Sequence, residues 1–189
     1  MKVKHIAIFA SGSGTNAQRI IEYYSGNQEI KVECLLSNNP GAYALSRAAG
    51  LGIETKVFSR DQLYHTTEIK DYLIEKKTDL VVLAGFLWLI PEDLIRTFPI
   101  INIHPALLPQ YGGKSMYGHH VHEAVIRNGE KYSGITIHYV NEKYDDGAII
   151  FQARCCVEPN DTPDTLAAKI HLLEYAHYPR IVGEVIRQL

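Results

Sequence analysis

Ile6-Ala7-Ile8-Phe9-Ala10-Ser11-Gly12-Ser13-Gly14-Thr15-Asn16 opens the chain with an unbroken apolar run, a glycine-rich turn and a polar exit. A short continuous run of this kind marks a strand buried on both faces of a parallel sheet. Ile20, Ile21 and Tyr24 follow at helical spacing, so the unit reads as strand, glycine loop, helix. Glycines let backbone approach a ligand closely, and the free N–H groups at a helix start attract an anion. The clustered Ser, Thr and Asn donors favour a phosphate site there, although Thr15 or Asn16 acting as a helix N-cap would account for the same residues. The loop also fits the dinucleotide pattern as Gly12-x-Gly14-x-x-Ala17. That pattern wants an acidic residue at the end of the second strand, and the strand over 32–36 ends instead in Ser37-Asn38-Asn39-Pro40. A dinucleotide cofactor is therefore disfavoured.

Outward from this unit, helix and strand keep alternating. A helix over 42–49 is stopped by Gly50 and Gly52, and a strand covers 54–58. An amphipathic helix over 61–77, capped near Ser59, leads to a buried strand over 79–85. This alternation predicts an α/β fold with a mostly parallel twisted sheet flanked by helices, Rossmann-like in character. Beyond Gly85, Phe86-Leu87-Trp88-Leu89-Ile90 stays apolar, as either a pocket wall for a flat ligand or core packing. Pro91 opens a short helix. Later, Ile135, Ile137 and Tyr139 alternate with Thr136, His138 and Val140, as in a half-covered strand. A polar loop over 141–147 precedes a strand over 148–157. From 164 a helical pattern runs to the end, which Pro179 should kink or divide. No repeat, low-complexity tract or linker interrupts the chain, so one domain over 1–189 is expected.

The chemistry concentrates in Ile100-Ile101-Asn102-Ile103-His104-Pro105-Ala106-Leu107-Leu108-Pro109. In a strand, residues two apart point to one face, so Asn102 and His104 stand side by side. Pro105 and Pro109 then turn the backbone off the sheet. An amide beside an imidazole suits a reaction in which a carbonyl oxygen turns negative and a proton moves at neutral pH. Asp145-Asp146-Gly147 has the composition of a tight turn, and spacing alone asks no more of it. His119, His120 and His122 lack the pattern of a zinc motif and read as loop and helix surface.

Composition bounds the partners. Nineteen basic against twenty-one acidic residues in 189 give a net charge of −2, which argues against nucleic acid as a partner. The longest apolar run, near residues 80–90, is far short of a membrane span. Cys34, Cys155 and Cys156 form no disulfide or zinc pattern. Met1 to Ile6 run directly into the first strand, leaving no room for a signal peptide. A soluble cytoplasmic protein is the simplest expectation.

Four motifs in this order carry a family resemblance: Ser11-Gly12-Ser13-Gly14-Thr15-Asn16, Val82-Leu83-Ala84-Gly85-Phe86, Asn102-x-His104-Pro105-x-Leu107-Leu108-Pro109 and Asp145-x-Gly147. Together they make the whole chain resemble the folate-dependent formyltransferases. The glycine loop and Glu174-x-x-x-Tyr178-Pro179 narrow the resemblance to the branch that formylates glycinamide ribonucleotide. The resemblance implies 10-formyltetrahydrofolate as co-substrate, no metal, and an N-terminal half that binds phosphate with a C-terminal half that binds folate. It implies that Asn102, His104 and Asp145 act on the formyl group. Gly14, Thr15, Asn16 and Glu174 would hold the ribonucleotide. Leu87, Trp88, Leu89 and Ile90 would line the pterin pocket through backbone groups, with Asn102 and His138 bordering it. Asp145 would raise the His104 pKa, and a homodimer remains open. Trp88 stands where well-known members carry arginine, and Asp146 where many carry glycine.

Overall fold

The computed structural model describes residues 3–189, so Met1 and Lys2 of the N-terminal run lie outside it. Five parallel strands, β1 (Lys4–Phe9), β2 (Ile30–Ser37), β3 (Glu54–Val57), β4 (Leu80–Leu83) and β5 (Ile100–His104), form most of one sheet. The last two strands, β6 (Tyr132–Tyr139) and β7 (Ile149–Cys156), continue it antiparallel, and the spatial order is β3-β2-β1-β4-β5-β6-β7. The helices are α1 (Thr15–Tyr23), α2 (Tyr43–Gly50), α3 (Arg60–Tyr64), α4 (Glu68–Glu75), α5 (Glu92–Thr97), α6 (His119–Arg127) and α7 (Pro163–Gln188). The predicted α/β architecture is therefore the one observed.

The apolar strands read as unbroken runs because each face of the sheet has its own core. Ile6 and Ile8 of β1 pack with Ile20 of α1, Ala44 of α2, Val121 of α6 and Val182 of α7. Ala7 and Phe9 point the other way, toward Leu63 of α3, Leu73 of α4 and Leu94 of α5. Each fully buried side chain of this size contributes about 1.5–3 kcal/mol of transfer free energy. With period-two alternation inside a doubly covered sheet, no position from Ile6 to Phe9 is left for a polar residue to face water.

Three expectations are corrected. The helix predicted over 61–77 is two helices, α3 and α4. Thr66 causes the break: its hydroxyl donates to the Gln62 carbonyl and accepts from the Glu68 N–H, competing with the backbone ladder. Ser59 does cap α3, in a reciprocal box with Gln62. The strand β6 is covered on both faces, not one, since Ser133, Thr136 and His138 are buried too. Thr136 Oγ1 donates to the Ala106 carbonyl and accepts from the Leu108 N–H, fastening the turn after β5 onto that second face. Finally, Pro179 does not divide α7. An interior proline costs about 3 kcal/mol. Here the adjacent Tyr178 hydroxyl bonds the Leu83 carbonyl at 2.8 Å, and the Tyr24 hydroxyl bonds the Pro179 carbonyl at 2.6 Å. The first tie holds the helix against the carboxyl end of β4, on the side where open α/β sheets place their ligands, and the second holds it against the end of α1.

Candidate active site

One cavity of about 500 Å³ lies over those strand ends, a volume suited to small-molecule ligands. It brings together Gly14, Thr15 and Asn16 of the glycine loop, the segment 87–90, Asn102, His104, His138, Asp145 and Glu174. These positions are up to 160 residues apart along the chain, from Gly14 to Glu174.

At one end of the cavity four groups converge on the Asp145 carboxylate. His104 Nδ1 is 3.4 Å from Oδ2, and the Gly113 N–H donates to Oδ2 at 2.9 Å. His138 Nε2 is 3.6 Å from Oδ1, and Asn102 Nδ2 reaches Oδ1 at 3.5 Å. Asn102 is also paired across the strands with His138, whose Nε2 accepts from Nδ2 at 3.2 Å. Asp145 itself has φ +54°, a left-handed conformation that Asp tolerates better than most residues. Gly147 is obligatory in the same turn, because a Cβ there would collide with the Tyr139 carbonyl. Asp146 faces away, held by Asn141 at 3.2 Å and Lys143 at 3.9 Å, so it takes no part in the cluster.

Backbone carbonyls settle the tautomers of both rings. A carbonyl only accepts, so His104 donates from Nε2 to Tyr111 O at 2.7 Å, leaving Nδ1 bare when the ring is neutral. His138 likewise donates from Nδ1 to Tyr139 O at 2.8 Å, leaving Nε2 to accept from Asn102. His104 is 3% exposed. That burial holds its pKa below the ordinary histidine value, while the Asp145 charge pulls upward and loses. Asp145 thus acts in the expected direction, but the net displacement is opposite to the one expected. Burial pushes the Asp145 carboxyl upward, yet its neighbours His138, His104 and the Gly113 N–H together hold it below the ordinary value. The resting pair is a carboxylate facing a neutral imidazole.

The other end of the cavity combines the glycine loop with Glu174. Gly14, with φ +73°, precedes α1, and no side chain caps this helix. Neither Thr15 nor Asn16 is therefore the N-cap. Asn16 turns its amide outward from the loop and donates to Glu174 Oε2 at 2.9 Å, while His171 Nδ1 meets the same oxygen at 3.0 Å. The Glu174 bond raises the His171 pKa. One of the two Asn16 amide N–H groups is spent on Glu174, and Oδ1 is sealed without a partner. The backbone N–H groups that open α1 have no intrahelical partner and form an electropositive edge there.

The wall between the two ends is the segment after β4. Ser11 joins it to the glycine loop: the Leu87 N–H donates to Ser11 Oγ at 3.1 Å, and that hydroxyl donates to Asn38 at 2.7 Å. Asn38 and Asn39, where a dinucleotide site would carry a carboxylate, are thus occupied in fastening loops. Trp88 packs among Phe58, Tyr64 and Phe86 with ring centroids 6.2–6.4 Å apart. Both readings of the segment hold at once, since Ile90 is core and Leu87 is 45% exposed at the cavity.

Sequence reasoning missed His122, His171, the Gly113 N–H and the Tyr111 carbonyl. Contrary to the surface expectation, His122 is 3% exposed, whereas His119 and His120 are exposed as expected. Val121, Ala124 and Val125 mark the buried face of α6, and His122 lies beside that stripe. The backbone groups carried no signal, because any residue supplies them.

Comparison with known proteins agrees with this geometry. The family model described as formyl transferase matches residues 4–182. A phosphoribosylglycinamide formyltransferase of Haemophilus influenzae is 37% identical over 187 residues, which cover 95% of this chain and 86% of that protein. The chloroplastic phosphoribosylglycinamide formyltransferase of Arabidopsis thaliana is 40% identical, with 98% of this chain covering 66% of its length. A crystal structure of phosphoribosylglycinamide formyltransferase from Anaplasma phagocytophilum superposes with a TM-score of 0.88 at 34% identity, covering 99% of this chain and 89% of that one. Among the described residues, no group of His, Cys, Asp and Glu is arranged to hold a metal ion, and no helix is long and apolar enough to cross a membrane. Its sequence pattern and its site both say the same: the chain belongs to the formyl transferase family.

Proposed function

We propose that the protein transfers the formyl group of 10-formyltetrahydrofolate to the amine of glycinamide ribonucleotide, giving formylglycinamide ribonucleotide and tetrahydrofolate in de novo purine biosynthesis. The observation that carries this reading is the polarity of one cavity, with an amide and a neutral imidazole against a carboxylate at one end and a helix N-terminus beside Glu174 at the other. A phosphorylated ribose fits the second end and a formyl carbonyl the first.

In this scheme the substrate amine attacks the formyl carbon, and the new C–N bond leaves an oxyanion. Asn102 donates to that oxygen. Its long 3.5 Å contact with Asp145 is the one an incoming formyl oxygen can displace at least cost. His104 Nδ1, bare in the resting protein, takes the proton of the attacking nitrogen. The imidazolium so formed has two acceptors already in place, the Tyr111 carbonyl at 2.7 Å and Asp145 at 3.4 Å. These contacts favour the charged ring, which exists only after attack, and therefore favour the transition state over the ground state. The C–N10 bond then breaks, with N10 taking up the proton. A formyl group on N10 is already activated, and the scheme calls on no metal.

We read the chain as one domain, with Gly14, Thr15, Asn16 and Glu174 on the ribonucleotide, and Leu87, Trp88, Leu89, Ile90, Asn102 and His138 around the folate. Three free cysteines accord with a reducing, cytoplasmic setting. A net charge of −2 accords with small-molecule partners rather than nucleic acid, and a homodimer remains open. The test is direct. Purified protein is mixed with 10-formyltetrahydrofolate and glycinamide ribonucleotide, and product is followed by mass and by the folate absorbance change. Stoichiometric appearance of formylated ribonucleotide and tetrahydrofolate supports the reading; absence of turnover, with NAD bound instead, would overturn it.

A further inference from the structure

We propose that His122 is a positioning residue for the ribonucleotide, its imidazole hydrogen-bonding the glycinamide portion between the ribose and the amine. This rests on the function proposed above. His122 lines the same cavity and is almost wholly buried. Its Nδ1 is sealed from solvent and has no hydrogen-bond partner, which is rare for a buried polar atom. Asn16 Oδ1, on the Glu174 side of the cavity, is a second sealed acceptor without a partner. Both orphaned atoms are closed to a ligand, so a bond from the His122 ring to one falls to its other nitrogen, Nε2.

The position along the cavity selects the ligand part. The groups whose charges act on His122 are His171 and Glu174 from α7, His119 from its own helix and His104 from β5. It shares the cavity lining with the carboxylate at the ribose end and the ring at the reacting end, and feels the charge of both. In a substrate extended from phosphate to amine, the segment between ribose and amine is the amide linkage. Since Nδ1 is sealed, the ring meets that amide through its Nε2 edge, and the amide carbonyl is the matching acceptor for an Nε2–H. An uncharged ring suits the place. A cation beside His104 would oppose formation of the imidazolium, whereas a neutral donor fixes the amide without that penalty.

The experiment compares wild type with His122→Phe, His122→Gln and His122→Asn. Each is checked for folding by thermal melting, and KM is measured for each substrate. Phe keeps the ring volume without nitrogen, Gln places its amide nitrogen near the Nε2 position, and Asn near Nδ1. The expected result is a ribonucleotide KM raised ten-fold or more in His122→Phe, with the folate KM within two-fold of wild type. His122→Gln should recover most of the loss and His122→Asn should not. A ribonucleotide KM within two-fold of wild type in His122→Phe overturns the proposal. So does equal impairment of the Phe and Gln variants, which would mark a packing role only. Wild type run in parallel keeps the two readings apart: no turnover by wild type overturns the proposed function itself, not the role of His122 alone.

Discussion

His104 sits between opposing influences, and their balance sets what it can do. Burial favours the neutral ring and dominates, while Asp145 favours the cation. A base must be neutral to accept a proton, so the acid limb of kcat/KM should fall below the ordinary histidine pKa of about 6.5. Replacing Asp145 by Asn removes the influence that raises the pKa. The limb should then move to still lower pH, while kcat drops about 10²–10³-fold because the imidazolium loses a partner. A limb that moves upward, or turnover near wild type, would show that the carboxylate does not act through His104. His104→Ala should cost about 10²–10⁴ in kcat, the usual worth of a positioned base, with ribonucleotide Kd nearly unchanged. Isothermal titration beside single-turnover rates separates the two effects.

Among the elements, the glycine loop shows how a local pattern can hide two causes. Gly14 reads as a ligand-approach glycine, yet it has φ +73° and a Cβ there would run into Ala44 of α2. Gly14→Val or Gly14→Ala should therefore lower Tm as well as ribonucleotide affinity, and neither reports cleanly on phosphate. Gly12 has nothing within 4 Å of an added Cβ. Gly12→Ala should leave Tm within a degree or two and weaken only the ribonucleotide, if this loop receives its phosphate; an unchanged Kd would return the loop to a structural role. The same contrast explains what could be read beforehand. The strand, the loop and the Asn102–His104 spacing are local, and period-two and period-3.6 patterns carry them. The meeting of Asp145 with β5 depends on β6 pairing antiparallel against it, which no local pattern encodes. Its role was legible only through family resemblance. The burial of His122 was missed because a histidine beside an apolar stripe looks the same whether the helix is rotated a few tens of degrees toward the core or toward water.

At the scale of the whole molecule, the histidines buried to build the site set its tolerance of acid. Burial holds His104 below the ordinary value and pushes His122 down to about 4. For a group with a depressed folded pKa, the native state binds fewer protons than the unfolded chain. The stability it confers is fully present above the unfolded value of about 6.5 and is lost as pH falls toward the folded one. His171 has the opposite sign, its pKa raised by Glu174, but half its side chain is exposed and its effect is small. Between pH 6.5 and 5, His122 alone should cost about 2 kcal/mol, at 1.36 kcal/mol per unit. Against a total of roughly 5–15 kcal/mol that is a visible fraction. Urea unfolding of wild type and His122→Phe at pH 7.5 and pH 5 measures it. Wild type should lose about 2 kcal/mol more than the variant over that interval. Parallel losses in the two proteins would mean that His122 keeps access to solvent or a partner in the native state, and the sealed, unpaired Nδ1 on which its proposed role depends would not exist.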